Sequence, residues 1–297
     1  MKQKIYGFAM AIIFSYSCQN RTDQAMNENA SQSATGQDGP TTTTSGYSKV
    51  NGLNMYYEIR GHGQPLVLIH GGGSTIFTSF GRIVPALSRH YQVIAVELQG
   101  HGHTPDLERP ESFDQDADDV AGLMKNLNVN QADFLGFSNG GNTTLKIAMK
   151  YPEIVRKLII VSAFYKREGM TAGFFDGMKK ATLMDMPPQL QEAYNKVAPD
   201  TSHLINMFEK DRSRMINFVD WRDEDLRSIQ ANSLILSGDH DVVRPEHAVE
   251  MYRLLPHAEL AIFPGVHGQC IGEITTLSGR QKDSILALPL ILDFLNE

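Results

Sequence analysis

The sequence predicts an α/β fold in which helices cover both faces of a mostly parallel sheet. One observation is a series of short apolar runs, such as residues 65–69, 91–96 and 155–162, which are typical of strands buried on both faces. A second is that segments with helical spacing alternate with these runs, as the crossover connections between parallel strands require. A third is an interruption at about residues 164–227, which contains helix-like pieces and predicts an inserted helical segment.

Residues 1–17 have the features of a signal peptide. Two lysines give a positive start, and residues 5–14 form an apolar stretch of about ten residues, which is too short to span a bilayer. Small residues then precede Cys18, so the segment resembles a bacterial lipoprotein signal with Cys18 as the lipidated residue. This predicts a lipid-anchored, membrane-associated protein of the bacterial cell envelope, outside the cytoplasm. The alternative is a secretory signal cleaved near Ser17, which would give a soluble secreted or periplasmic protein.

Residues 18–46 are predicted to form a disordered tether. They are rich in Asn, Gln, Ser, Thr, Gly and Asp, and they carry too little apolar surface to offset the entropy lost on ordering. A flexible chain of this length reaches roughly 25–30 Å, which suits a domain held away from a membrane surface. The pattern turns globular at Tyr47, so the folded domain is predicted for residues 47–297.

Charge and motif content exclude several kinds of ligand. The net charge of −7, with no basic cluster, argues against nucleic acid because its phosphates would be repelled. The glycine run after His70 lacks the Lys-Ser/Thr pair of a nucleotide-binding loop. His101 and His103 have no third ligand at helical spacing. We therefore expect no cofactor and no metal, and a small molecule as the substrate.

Within the folded domain, apolar runs predict strands and segments with helical periodicity predict helices. Ser112 precedes one such helix and is predicted to cap its N-terminus. The predicted strands are 53–59, 65–69, 91–96, 132–135, 155–162, 233–237 and 258–263. The predicted helices are 77–89, 113–127, 142–150, 245–255 and 284–296.

Ser138 is the strongest candidate for chemistry, because it lies in the pentapeptide Gly136-Phe137-Ser138-Asn139-Gly140 between a predicted strand and a predicted helix. A serine on so sharp a turn is pushed outward, and the flanking glycines avoid collisions with neighbouring elements. The N-terminal amides of the following helix point toward any oxyanion that forms at this serine. The pentapeptide therefore predicts an exposed nucleophile with part of an oxyanion hole beside it.

Three further loops follow predicted strands. The run His70-Gly71-Gly72-Gly73 follows one strand, an acidic turn with Asp239 and Asp241 follows another, and His267 follows a third. Because corresponding ends of parallel strands lie along one edge of a sheet, these loops are expected to meet near Ser138. An imidazole can take the serine proton, and a carboxylate can hold the imidazole in the required tautomer.

With this order of serine, acid and histidine, residues 48–297 resemble the α/β-hydrolase superfamily. The loop Glu97 to Thr104 is also similar to that family's D-x-x-G-x-G-x-S loop. The resemblance implies an α/β-hydrolase fold of one domain, with a helical cap at about residues 164–227, inserted before the acid-bearing strand. It also implies a site of particular residues. These are Ser138, His267 and Asp241 as the catalytic triad, with Asp239 as the alternative acid, and the amides of Gly72 and Asn139 as the oxyanion hole.

The expected reaction is hydrolysis of a carboxylic ester or lactone through an acyl-enzyme. The same triad could instead cleave a carbon–carbon bond, an amide or a peptide, or carry out perhydrolysis. A non-catalytic ligand-binding module is an alternative of a different class. The cap segment is rich in methionine, which suits either an adaptable acyl pocket or cap-core packing. Its six methionines are Met170, Met178, Met184, Met186, Met207 and Met215.

Overall fold

The computed structural model describes residues 43–277 and 284–297, so the predicted signal peptide and Cys18 lie outside the described residues. Its strands are β1 (Thr43–Val50), β2 (Leu53–Arg60), β3 (Pro65–Ile69), β4 (Gln92–Val96), β5 (Ala132–Phe137), β6 (Val155–Val161), β7 (Asn232–Gly238) and β8 (Ala258–Phe263). Its α-helices are α1 (Ile76–Phe80), α2 (Val84–Leu87), α3 (Phe113–Asn126), α4 (Asn139–Lys150), α5 (Phe174–Lys180), α6 (Pro188–Val197), α7 (Leu204–Ile216), α8 (Asp223–Arg227), α9 (Pro245–Leu254) and α10 (Leu288–Asn296).

The described strands form one sheet in the order β1-β2-β4-β3-β5-β6-β7-β8. The strands from β4 to β8 in this order pair in parallel, whereas β2 pairs antiparallel with both β1 and β4. The predicted mostly parallel sheet is therefore confirmed, with a hairpin added at one edge. This topology places the C-terminal ends of β5, β7 and β8 along the same edge.

Alternate residues of the central strands supply two separate hydrophobic cores. In β3, Val67 and Ile69 pack with residues of α3, α4 and α9, while Leu66 and Leu68 pack with residues of α1 and α10. Because successive side chains of a strand point to opposite faces, an uninterrupted apolar run fills both layers. Burial of β3 on both faces thus explains the pattern that predicted the strand.

Strand β1 is absent from the predicted strands, and it begins before the predicted start of the folded domain at Tyr47. Residues 43–46, which we expected to be the end of the disordered tether, belong to this strand, and Thr43 pairs with Arg60. The prediction was wrong at this boundary because pairing with β2 satisfies the backbone groups of a polar, exposed segment. The rest of the predicted tether lies outside the described residues.

The helix expected over residues 77–89 is two short helices, α1 and α2. Thr75 caps α1 by accepting a hydrogen bond from the Thr78 amide, and α1 ends before Gly81. Pro85 lies in the first turn of α2, where its missing N–H is tolerated, but it could not continue a helix from α1. The predicted cap at Ser112 is confirmed, since its side chain accepts from the Gln115 amide.

Helices α5 to α8 occupy the segment between β6 and β7, where we expected an inserted helical cap. Side chains of this segment contribute to two small apolar clusters. One contains Phe164 and Phe218 together with Phe113 of α3, and the other contains Leu190 and Met207. The cap is therefore built from short helices over the C-terminal edge of the sheet. None of the helices described for this chain is long and apolar enough to cross a membrane.

Candidate active site

Ser138 lies on the turn between β5 and α4 in a conformation that non-glycine residues rarely adopt. Its φ is +54° and its ψ is −120°, which is a strained combination for a residue with a Cβ. A side chain at Gly136 would collide with the Gly140 carbonyl and the Thr144 hydroxyl, and one at Gly140 would collide with the Ile69 carbonyl. The glycines are therefore required by close backbone packing, and the turn presents the serine hydroxyl to the sheet edge.

The structure brings together the three side chains that the sequence singled out. Ser138 Oγ lies 3.0 Å from His267 Nε2, and His267 Nδ1 lies 2.7 Å from Asp241 Oδ1. A carboxylate can only accept, so Nδ1 carries the proton and Nε2 is left to accept from the serine hydroxyl. The ring of Phe137 lies 4.8 Å from the imidazole and supports it from one side. This arrangement can move a proton from the hydroxyl to the imidazole.

Asp241 is buried and ionised at the end of β7. Burial acts to raise its pKa, but the hydrogen bonds from His267 and Ser162, together with the imidazole charge, lower the pKa below its ordinary value. The Ser162 hydroxyl donates to Asp241 Oδ2 at 2.5 Å, and the Val243 amide donates to Oδ1 at 3.2 Å. The sequence analysis missed Ser162, although its place directly after β6 puts a polar residue on the same sheet edge.

Asp239, the alternative acid, does not contact the imidazole of His267 in this structure. Its Oδ1 accepts a hydrogen bond from the Gly265 amide at 2.8 Å. That bond ties the loop after β7 to the loop after β8, which carries the histidine. Asp239 therefore stabilises the loop that carries His267 without being part of the hydrogen-bonded set Ser138, His267 and Asp241.

The amides of Gly72 and Asn139 lie on two segments that meet at Ser138. Asn139 is the first residue of α4, so its amide has no partner within the helix. Among the described residues, none accepts a hydrogen bond from the Gly72 amide. His70 fixes this loop from below, since its Nδ1 donates to the Gly71 carbonyl at 2.7 Å and its Nε2 accepts from the Leu98 amide at 3.0 Å. Burial lowers the pKa of His70 to about 3, so the ring is neutral.

The loop from Glu97 to Thr104 is held by hydrogen bonds of its own side chains. Glu97 accepts from the His103 amide at 2.6 Å and lies 2.9 Å from His103 Nδ1. Thr104 donates to the Glu97 carbonyl at 2.7 Å and accepts from the Tyr56 amide at 2.9 Å. The described residues contain no group of three or more His, Cys, Asp or Glu side chains placed to hold a metal ion. His103 thus has a structural partner within this loop, and His101 donates from Nδ1 to the Gln99 carbonyl at 2.8 Å.

A cavity of about 320 Å³ opens above Ser138 between the sheet edge and the cap. Its wall is mainly apolar, and five of the six cap methionines line it, whereas Met184 is 88% exposed. Flexible thioether side chains allow such a wall to adapt to different apolar groups. The apolar lining comprises Phe164, Met170, Phe174, Met178, Ala181, Met186, Pro187, Leu190, Met207, Phe208, Met215 and Val242.

Asp211 of α7 also lines this cavity, and the sequence analysis did not single it out. It accepts a hydrogen bond from the Gly73 amide at 2.5 Å and lies 3.0 Å from His101 Nε2. Arg214, one helical turn further on, donates to the same carboxylate. No local sequence signal marks this residue, because its partners Gly73 and His101 lie more than a hundred positions away in the chain.

Comparison with known proteins shows to which family the chain is similar. A family profile described as alpha/beta hydrolase fold matches residues 64–205. The AB hydrolase superfamily protein YisY of Bacillus subtilis is 31% identical over 240 residues, which are 71% of this chain and 87% of that protein. The 2-hydroxy-6-oxo-2,4-heptadienoate hydrolase of Pseudomonas putida is 27% identical over 239 residues, 71% of this chain and 83% of that protein.

Solved structures share the same architecture. A meta-cleavage product hydrolase from Pseudomonas fluorescens IP01 superposes with a TM-score of 0.65 at 24% identity, covering 84% of this chain and 98% of that one. At this level of identity the similarity establishes the fold.

Proposed function

The chain belongs to the alpha/beta hydrolase family, and on that premise we propose that it is a serine hydrolase for carboxylic esters or lactones. The observation that carries the proposal is the 3.0 Å contact between Ser138 Oγ and His267 Nε2 at the base of an apolar cavity. A hydroxyl is a weak nucleophile unless a base takes its proton, and this contact supplies the base.

The proposed reaction has two halves. Ser138 Oγ attacks the substrate carbonyl while its proton passes to His267 Nε2, and Asp241 stabilises the imidazolium that forms. The amides of Gly72 and Asn139 receive the oxyanion. The intermediate then expels the alcohol, which takes the proton from His267, and Ser138 remains acylated. Water then attacks the acyl carbon while His267 Nε2 takes one of its protons. The bond from that carbon to Ser138 Oγ breaks, His267 returns the proton to Oγ, and the carboxylic acid leaves.

The cavity supports a neutral substrate of modest size. Its wall is mainly apolar, and the charged side chains beside it include Asp185 and Asp211. The guanidinium of Arg212, which also lines the cavity, is engaged by Glu209 at 2.6 Å and by the Lys179 carbonyl at 3.3 Å. A substrate with apolar acyl and alcohol parts would therefore bury its surface without requiring a cationic partner.

The direct test is covalent labelling with a fluorophosphonate probe together with a panel of neutral p-nitrophenyl esters. We expect wild-type protein to be labelled and to hydrolyse short and medium esters, and we expect Ser138→Ala to lose both properties, with turnover reduced by about 10⁴-fold or more. Cys270→Ala is the matched control, since Cys270 is buried three positions after His267 and burial raises its thiol pKa to about 12. Labelling that persists in folded Ser138→Ala would refute the proposal, and so would the absence of any labelling of wild type, which would favour a ligand-binding module.

A second candidate is carbon–carbon bond hydrolysis, which the names of the relatives favour. A heptadienoate carries a carboxylate, and the mainly apolar wall, with the Arg212 guanidinium already engaged by Glu209, gives such a group a poor environment in this cavity. We therefore expect neutral esters to be turned over faster than 2-hydroxy-6-oxo-2,4-heptadienoate. Steady-state kcat/KM values for both substrates decide between the two reactions, and a higher value for the dienoate would reverse the order.

We also propose, from the sequence alone, that lipidation at Cys18 anchors the domain at the cell envelope. A multi-acyl modification holds a protein firmly, because each buried methylene contributes about 0.8 kcal/mol and a single chain anchors only marginally. Wild type and Cys18→Ser should be compared by membrane fractionation of an expressing bacterium. Equal release of both into the soluble fraction would contradict the anchor and indicate an ordinary secreted enzyme.

A further inference from the structure

A carboxylate of the cap reaches both backbone segments that flank the proposed nucleophile. Asp211 accepts a hydrogen bond from the Gly73 amide at 2.5 Å, next to the proposed oxyanion donor Gly72. Its other oxygen lies 3.3 Å from Asn139 Nδ2, on the residue whose amide is the second proposed donor. One side chain of α7 is thus bonded to the two segments that must be correctly spaced to receive an oxyanion.

Asp211 is held in place by two cationic partners. His101 donates from Nε2 at 3.0 Å, and Arg214 donates to the other carboxylate oxygen. Arg214 is in turn anchored to Asp116 of α3 at 2.6 Å. Burial acts to raise the pKa of Asp211, but the charges of Arg214 and His101 outweigh it and hold that pKa far below its ordinary range. The carboxylate is therefore ionised and fixed in orientation.

The packing around Gly72 leaves little freedom. A Cβ placed there would lie 3.0 Å from Asp211 Oδ2 and 2.5 Å from Asn139 Nδ2. The glycine, the asparagine side chain and the cap carboxylate therefore interlock. Oxyanion stabilisation depends on donors held close to the position that the oxygen will take, and a site supported this way keeps that geometry.

We propose that Asp211 is a positioning residue that holds the Gly72–Gly73 turn and Asn139 at the spacing needed to receive the oxyanion. The inference rests on the proposed serine hydrolase function and assigns Asp211 no contact with the reacting atoms. It also couples the cap to the catalytic step, because α7 carries the carboxylate and any displacement of α7 would release the turn.

The test compares Asp211→Asn with Asp116→Asn. Both variants remove a carboxylate that binds Arg214 in the same buried cluster, but only Asp211 contacts the oxyanion segments. We expect Asp211→Asn to lower kcat/KM for a neutral ester by roughly 10- to 100-fold through kcat, with KM nearly unchanged. Asp116→Asn should lose less than about threefold, since it leaves the Gly73 amide bonded. Equal losses in both variants would overturn the inference.

A second readout separates positioning from general destabilisation. An alkyl trifluoromethyl ketone forms a bond between Ser138 Oγ and its carbonyl carbon, the hydroxyl proton passes to His267, and the former carbonyl oxygen becomes an oxyanion. If Asp211 positions the oxyanion hole, the inhibition constant of the ketone for Asp211→Asn should exceed that for wild type by the same factor by which kcat/KM falls. An unchanged inhibition constant would overturn the inference.

Failure of the inference can be told apart from failure of the proposed function. A wild type that neither hydrolyses esters nor binds the ketone would refute the function and the inference together. A wild type that does both, with folded Asp211→Asn matching it, overturns the inference alone. Thermal melts establish folding, and if Asp211→Asn is unfolded, Asp211→Glu keeps the charge but moves the carboxylate by one methylene. Wild-type kcat/KM and ketone binding in that variant would also overturn the inference.

Discussion

The site contains two carboxylate–imidazole pairs, Asp241–His267 and Asp211–His101, which differ in what the second imidazole nitrogen contacts. In the first pair, Nδ1 donates to the carboxylate at 2.7 Å and Nε2 faces the Ser138 hydroxyl at 3.0 Å. In the second pair, Nε2 donates to the carboxylate at 3.0 Å and Nδ1 donates to a backbone carbonyl at 2.8 Å. One imidazole keeps a nitrogen that can accept a proton, whereas the other uses both nitrogens as donors.

The two imidazoles also differ in burial. The side chain of His267 is 30% exposed, and that of His101 is 1% exposed. Burial acts to lower the pKa of His101, but the charge and hydrogen bond of Asp211 outweigh it and raise the pKa to about 9. The same two chemical groups thus give a proton acceptor in one place and a fixed cation in the other.

Removing the carboxylate of the first pair is expected to have the largest effect. Asp241→Asn keeps the shape but loses the charge and favours the wrong imidazole tautomer, so ester turnover should fall on the order of 10⁴-fold, as in a serine protease. Asp239→Asn is the matched control, because it removes only the charge of a group that accepts from the Gly265 amide, and it should retain turnover and cost at most about 1 kcal/mol of stability. Turnover and melting temperature are measured for both variants. Loss of activity in Asp239→Asn alone would reverse the assignment of the acid.

The second pair should appear in the pH dependence of stability. Because the folded-state pKa of His101 is raised, its contribution is fully present below its unfolded value of about 6.5 and is lost as pH rises through about 9. We expect wild type to exceed His101→Gln by roughly 1–3 kcal/mol in unfolding free energy near pH 6 and to lose that advantage at alkaline pH. Urea unfolding at a series of pH values measures the difference, and a difference that does not change with pH would contradict an imidazolium at this position.

The smallest effect should come from the hydroxyl that supports the first pair. Ser162 donates to Asp241 at 2.5 Å, so Ser162→Ala removes one hydrogen bond while leaving the imidazole contact intact. A bond to a charged group contributes about 1.5–3 kcal/mol, and we expect turnover to fall by roughly 10-fold. Ser233→Ala, which removes a buried hydroxyl that donates to the Ala231 carbonyl at 2.9 Å near the start of β7, provides a comparison outside the site. A Ser162→Ala loss as large as that of Asp241→Asn would mean that the hydroxyl does more than orient the carboxylate.

The site residues that could be predicted from the sequence are those in loops directly after strands. Ser138 and Asp241 follow buried strands, whereas His267 follows β8, whose side chains are half-buried or exposed. Parallel strands bring the positions after their C-terminal ends to one edge of the sheet. The apolar runs therefore predicted the strands, and the candidate groups were found in the loops that follow them. The same reasoning missed the start of β1 at Thr43, because a polar edge strand is specified by its partner β2 rather than by its own composition.

By itself, the sequence determined the alternation of strands with helices, the sharp turn at Ser138 and the set of groups that could reach it, since all of these follow from local periodicity and from glycine sterics. Only the tertiary structure decided that Asp211 reaches the Gly73 amide, 138 positions away in the chain. No local pattern encodes that contact, because it depends on how α7 packs over the sheet edge. The physical reason is that backbone hydrogen bonds between paired strands align the strand ends, whereas the position of the cap depends on side-chain packing between distant segments.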